Sequence, residues 1–167
     1  MASATTIFIP GLLCTEYLFH HQRDAMPGSA VVADTRQHDT MTAMAEAALA
    51  QAPGQLIPIG LSMGGYVALE MARLAPSRIS AMALLSTSCR QDNAAQRAYR
   101  EQAIKLAGQD GFRGVTRQFL GKCLSPTALA DVALVDGVLA MAAEIGRGVF
   151  AQQQKAILGR RDQRDVL

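Results

Sequence analysis

The sequence predicts an α/β fold: a doubly wound, mostly parallel sheet of about four strands, joined to a helical lid. Three observations lead there. Short β-branched and aromatic runs alternate with helical patterns over residues 5–85. The first three runs end at Pro10, Asp34 and Gly60, residues that punctuate strands. After Ser88 the alternation stops, and only helical patterns follow.

The elements read in order. Thr5–Pro10 (TTIFIP) is a buried strand closed by Pro10–Gly11. Thr15 is placed to cap a helix running through Tyr17, Leu18 and Phe19 to about Asp24. Ala30–Asp34 (AVVAD) is a second strand. Thr40 or Thr42 starts an Ala- and Met-rich helix that stops at Pro53–Gly54. Gln55–Gly60 (QLIPIG) is a third strand, Met63–Ala75 a helix stopped by Pro76, and Ile79–Leu85 a fourth strand. Residues 93–159 read as about four helices, punctuated by glycines such as Gly108, Gly111, Gly121, Gly146 and Gly159. This divides the chain into a core segment at 1–90, a helical lid at 91–159 and a tail at 160–167. In that tail Arg160, Arg161 and Arg164 alternate with Asp162 and Asp165, the pattern of a solvated segment.

Composition narrows the function classes. The 167 residues are half apolar and 18% charged, an ordinary globular balance. A chain of this length buries roughly two-thirds of its unfolded surface. The formal charge of +2 is spread along the sequence, with no basic stripe, so nucleic acid is not an expected partner. No run reaches the ~20 apolar residues of a membrane span, and there is no basic, apolar leader. The three cysteines, Cys14, Cys89 and Cys123, lack CxxC spacing and fit neither a disulfide framework nor a metal site. Reduced thiols in the cytoplasm are the simplest expectation.

Gly60-Leu61-Ser62-Met63-Gly64 matches G-x-S-x-G. The bare pattern is weak, but here it follows a strand and opens a helix, the setting the motif requires. A tight turn there lifts the serine hydroxyl clear of the sheet. Gly60 and Gly64 leave room for it, and Gly65 adds a second glycine in the first helical turn, a sign of close backbone packing. The free N–H groups and positive dipole of the helix start lie where charge develops during attack on an acyl group. Ser62 is thus a candidate nucleophile, with a plain helix N-cap as the competing role. Ile9–Leu13 closes the first strand beside it, so the Leu12 N–H pairs with the Met63 N–H as a candidate oxyanion hole.

The base is harder to find. His20, His21 and His38 all precede Ser62, whereas strand–turn–helix hydrolases order their partners Ser, acid, His. His20 and His21 suit a helix surface or a packed contact, and His38 a loop at the carboxyl edge of the sheet. Asp92 suits a helix N-cap better than a catalytic acid. There is no G-x-G-x-x-G, Walker A or His-Glu-x-x-His pattern. No cofactor and no metal site are expected.

These residues resemble the α/β-hydrolase superfamily. PGLLCTEYLFHHQ at 10–22, VVADTRQHDT at 31–40 and GLSMGGYVALEMARLAPSRISAMALLSTSCR at 60–90 are similar to bacterial α/β-fold hydrolases related to esterases and enol-lactonases. The resemblance implies Ser62 as nucleophile and the Leu12 and Met63 amides as oxyanion hole. It also implies a later strand carrying the acid and a later loop carrying the histidine. The chain therefore reads as the N-terminal part of a larger hydrolase, truncated before the last strands. The expected activity is cleavage of a small ester, lactone or thioester. The alternatives are a non-catalytic binding module or inactive remnant, and a same-fold acyltransferase or haloperoxidase. The expected partners are a small acyl substrate and, at an exposed fourth-strand edge, a second copy or a complementing C-terminal chain.

Overall fold

The computed structural model describes residues 4–26, 28, 30–109 and 114–167. Gly111 lies outside them. Four parallel strands form one sheet in the order β2-β1-β3-β4, from β1 (Thr5–Ile9), β2 (Ala30–Val32), β3 (Leu56–Leu61) and β4 (Ala83–Leu85). The middle pair runs from Thr5 against Leu56 to Ile9 against Gly60, so the end of β1 abuts the start of the serine motif.

Alternation on β1 sets the two faces. Ile7 and Ile9 join the main core with α2 (Met41–Ala50) and α3 (Met63–Leu74) through Met44, Ala45, Val67 and Met71. Phe8 points the other way and stacks on Phe19, ring centroids 4.9 Å apart. Among the described residues, β1 is thus buried on both faces, as central strands of doubly wound sheets are.

Several boundaries differ from the sequence expectation, each for a local reason. Thr15 accepts a hydrogen bond from Tyr17 N, but the turn it caps, Glu16–Phe19, is 3-10, and α1 covers only His20–Ala25. β2 stops at Val32 because Asp34 turns back to accept from the Arg36 backbone and guanidinium, at 3.0 and 2.9 Å. Thr40, not Thr42, caps α2. At the expected start of the fourth strand, Ile79 makes only an isolated bridge to Leu56. Regular pairing with β3 begins at Ala83.

Beyond residue 93 follow α4 (Ala94–Ala107), α5 (Arg117–Leu120), α6 (Pro126–Ala130) and α7 (Val132–Leu158). α4 begins with a capping box between Asn93 and Gln96. That displaces Asp92 from the expected capping role. α7 is broken at Gly146, whose backbone (φ 70, ψ 173) glycine adopts freely and other residues only under strain. Its earlier half packs with Leu13 and Ala107 through Ala142 and Ile145, and its later half reaches the sheet core through Ala156 and Ile157.

The tail is solvated only in part: Arg161, Arg164 and Asp165 are exposed, but two of its residues are not. Arg160 is 7% exposed and Gln163 2%. The Arg160 guanidinium lies 4.2 Å over the Tyr66 ring and donates to Asp92, the Arg90 carbonyl and the Ile157 carbonyl. Gln163 donates to Glu70 at 2.9 Å. Arg161 pairs with Asp165 at 2.7 Å and Arg164 with Asp162 at 2.9 Å within the exposed part of the segment, as alternating charge suggests, whereas the partners of Arg160 and Gln163 lie on other elements.

Glu70 is buried and fully engaged. The Arg73 guanidinium, donating at 2.6 and 3.0 Å, holds its carboxyl down from 4.5 to about 2; burial opposes this, and Thr42 and Gln163 add to it. A depressed carboxylate pKa contributes stability that is complete above its unfolded value and lost as pH falls toward the folded one. Urea midpoints should therefore fall as pH drops from 4.5 toward 2. Glu70→Gln should lose about 1–3 kcal/mol at neutral pH and show less of this acid-side decline.

Candidate functional site

The site is built around a backbone that only a crowded turn holds in place. Ser62 joins β3 to α3 with φ 53 and ψ −110. A positive φ at a residue with a side chain costs on the order of 1–3 kcal/mol and persists where its surroundings enforce it. Those surroundings are specific. Ser62 N donates to the Leu85 carbonyl at 2.9 Å, and Thr87 Oγ1 donates to the Ser62 carbonyl at 2.7 Å. A Cβ at Gly60 would lie 2.3 Å from the Gly64 carbonyl oxygen, and one at Gly64 only 1.9 Å from the Ile9 carbonyl oxygen. A Cβ at Gly65 would meet the Thr87 side chain at 2.5 Å. The glycines let the first turn of α3 press against the end of β1 on one side and the loop after β4 on the other.

Ser62 precedes the first helical residue, yet its side chain makes no cap hydrogen bond. The N-cap role is therefore not what the serine does. Its hydroxyl borders a cavity of about 400 Å³, together with Gly11, Leu12 and Leu61. Met63 is fully buried. As the first residue of α3, it has no intrahelical acceptor for its N–H.

The loop after β1 is pinned over the serine turn. Cys14 N donates to the Gly11 carbonyl at 3.1 Å, closing a turn. Leu13, at φ 59, donates its N–H to Gln153 Oε1 at 3.2 Å. Gln153 is fully buried, and its amide nitrogen donates to Thr35 O and Oγ1, both at 3.4 Å. This glutamine on α7 thus ties the loops after β1 and β2 together. Sequence reasoning missed it, although a signal was present: three consecutive glutamines, Gln152, Gln153 and Gln154, interrupt the apolar pattern of the later half of the helix.

The helices roof the cavity. Tyr99 and Arg100 of α4, Phe119 and Leu120 of α5, and Val138, Phe150 and Gln154 of α7 line it. Cys14 and Cys123 also reach it. Burial pushes the Cys14 thiol up to about 11, with the Gly11 backbone opposing and Cys123 adding, so it stays protonated at neutral pH.

The titratable candidates fall elsewhere. None of the three histidines borders the cavity. His20 lies between the rings of Tyr17 and His21, and its Nδ1 donates to the Tyr17 carbonyl at 2.6 Å. His21 is exposed and His38 half-buried. Asp92 is buried between two arginines, accepting from Arg100 at 2.7 Å and Arg160 at 2.8 Å. Burial alone would raise its pKa, but the hydrogen bonds from Arg160 and Arg100 prevail and lower it. Among the described residues, no group of three His, Cys, Asp or Glu is arranged to hold a metal ion, and no helix is long and apolar enough to cross a membrane.

A parallel sheet whose third strand ends in a strained serine turn, with helices roofing the carboxyl edge, is the architecture of α/β hydrolases. Solved structures agree. The chain superposes on a thermophilic esterase from Thermogutta terrifontis (TM-score 0.78, 19% identity, 99% of this chain and 67% of that one). It matches a hydrolase from Pseudomonas aeruginosa PA01 (0.80, 22%, 95% and 65%) and the enol-lactonase from Burkholderia xenovorans LB400 (0.70, 18%, 99% and 68%). This chain thus spans about two thirds of the length of each. No family model matches it, and no curated protein does. At these identities the likeness is one of fold: the chain has the α/β-hydrolase fold.

Replacing Gly64 with Ala drives a methyl into the Ile9 carbonyl and should cost about 3 kcal/mol or more in urea unfolding. Gly146→Ala meets no atom within 4 Å and should cost only backbone strain, about 1–3 kcal/mol.

Proposed function

We propose that the protein is a serine hydrolase acting on a small ester, lactone or thioester through an acyl-enzyme at Ser62. The observation that carries this reading is the Ser62 turn: a strained backbone, a hydroxyl released from capping, and a cavity of about 400 Å³ beside it. Ser62 Oγ attacks the carbonyl carbon while a base takes its proton. The Leu12 and Met63 N–H groups receive the carbonyl oxygen as it becomes an anion. The carbon–oxygen or carbon–sulfur bond to the leaving group then breaks, the leaving group takes the proton, and water releases the acid from the serine.

The base is assigned to a histidine outside residues 1–167, oriented by an acid that also lies outside them. That none of the three histidines borders the cavity supports this assignment. It also supports a second reading, in which these residues by themselves form a binding module with the cavity as a ligand pocket. A polypeptide that supplies the histidine should hydrolyse a p-nitrophenyl ester, and Ser62→Ala should lower kcat by about 10⁴-fold or more. Full activity in the Ser62→Ala protein overturns the reading. Gln153→Leu, which releases Leu13, should lower kcat by about tenfold or more with little change in KM.

The edge of β4 supports one further expectation. Among the described residues β4 pairs only with β3, and Leu85 is 42% exposed. We infer that this edge takes a strand from a second copy or from a complementing chain. Residues 1–167 alone should self-associate in sedimentation velocity; a monodisperse monomer contradicts this.

A further inference from the structure

Arg100 is the sole charged residue among the described residues that line the cavity at Ser62. Its guanidinium is held from two sides: Nε donates to Asp92 Oδ2 at 2.7 Å, and Nη1 donates to Gln154 Oε1 at 2.9 Å. Nη2 has no partner among the described residues, and the side chain keeps 17% of its exposure.

The charge around it does not balance. Asp92 is the one carboxylate for two guanidiniums, since it also accepts from Arg160. The other buried acid, Glu70, belongs to Arg73, Thr42 and Gln163. Arg160 is 4% exposed at its side chain and spends its donors on Asp92 and the Arg90 and Ile157 carbonyls. Among the described residues one unit of positive charge is left over in this cluster, and Arg100 is the member that opens into the cavity. The walls around it are leucine, valine and phenylalanine. An uncompensated charge in such surroundings is unfavourable, and an anion there is held more strongly than in water. The planar fork of arginine matches two oxygens of a carboxylate.

We propose that the Ser62 cavity takes a substrate bearing a carboxylate, which pairs with Arg100 Nη2 while the acyl carbonyl lies at Ser62. This rests on the cavity being the substrate site of the hydrolase reading. Asp92 and Gln154 act as positioning residues that aim the guanidinium.

The test is a pair of unreactive ligands differing in charge alone, 5-oxohexanoate and its amide, titrated calorimetrically into the full chain. The carboxylate should bind the wild type about tenfold to hundredfold more tightly than the amide. Ser62→Ala should keep that preference. Arg100→Gln should abolish it, and Arg100→Lys should restore part of it. Equal binding of the two ligands by the wild type overturns the proposal without needing any variant. So do failure of the carboxylate to bind at millimolar concentration and a preference undiminished in folded Arg100→Gln. Hydrolysis of a neutral p-nitrophenyl ester, lost in Ser62→Ala, is read separately. Measured on a polypeptide that supplies the histidine, it tests the serine reading, whatever the two ligands show.

Discussion

The contact that everything else depends on is the close approach of the first turn of α3 to the carbonyl that ends β1. At Gly64 no room remains for even a methyl group. That contact fixes where α3 starts relative to the sheet and forces the bend at Ser62. It also brings the loop after β1 alongside the serine. The adjacent pairing of Ile9 with Gly60 is its backbone counterpart. Strain at the serine is sustained because Leu85 at the end of β4, and Thr87 beyond it, hold the turn by hydrogen bonds.

A second constraint comes from α7. Consecutive glutamines serve two purposes, Gln153 holding the Leu13 loop and Gln154 the Arg100 guanidinium. Both sides of the break at Gly146 pack with α4, and only the later part also docks on the sheet core, through Ala156 and Ile157. The cavity is lined by residues from the loop after β1, the end of β3 and three helices, joined by apolar packing and by these glutamine hydrogen bonds.

How far the sequence carried the reading follows from the range of the forces involved. The strands, the parallel order, the helix after Ser62 and the glycine crowding were legible because periodicity and turn chemistry are local. Thr15 and Thr40 were legible as caps for the same reason. Asp92 and Arg160 were misjudged because the ion pair that buries them spans 68 residues. Next to Asn93, which forms a local capping box, Asp92 had no way to declare itself a buried counter-ion. Gln153 is the sharpest case: a glutamine in a helix is unremarkable until its amide is found under a loop from the start of the chain.

That separation has a kinetic meaning. Leu13 and Gln153 are 140 residues apart, and the hydrogen bond between them joins the first loop of the sheet to the last long helix. Closing so large a span carries an entropic penalty that nearby strand pairing does not. The sheet and its serine turn can form from contacts within the first ninety residues, whereas the pocket wall and the tie over Leu13 must wait for the later half of α7. Between those two events the reactive-looking serine exists on a framework that has no enclosed chamber to serve.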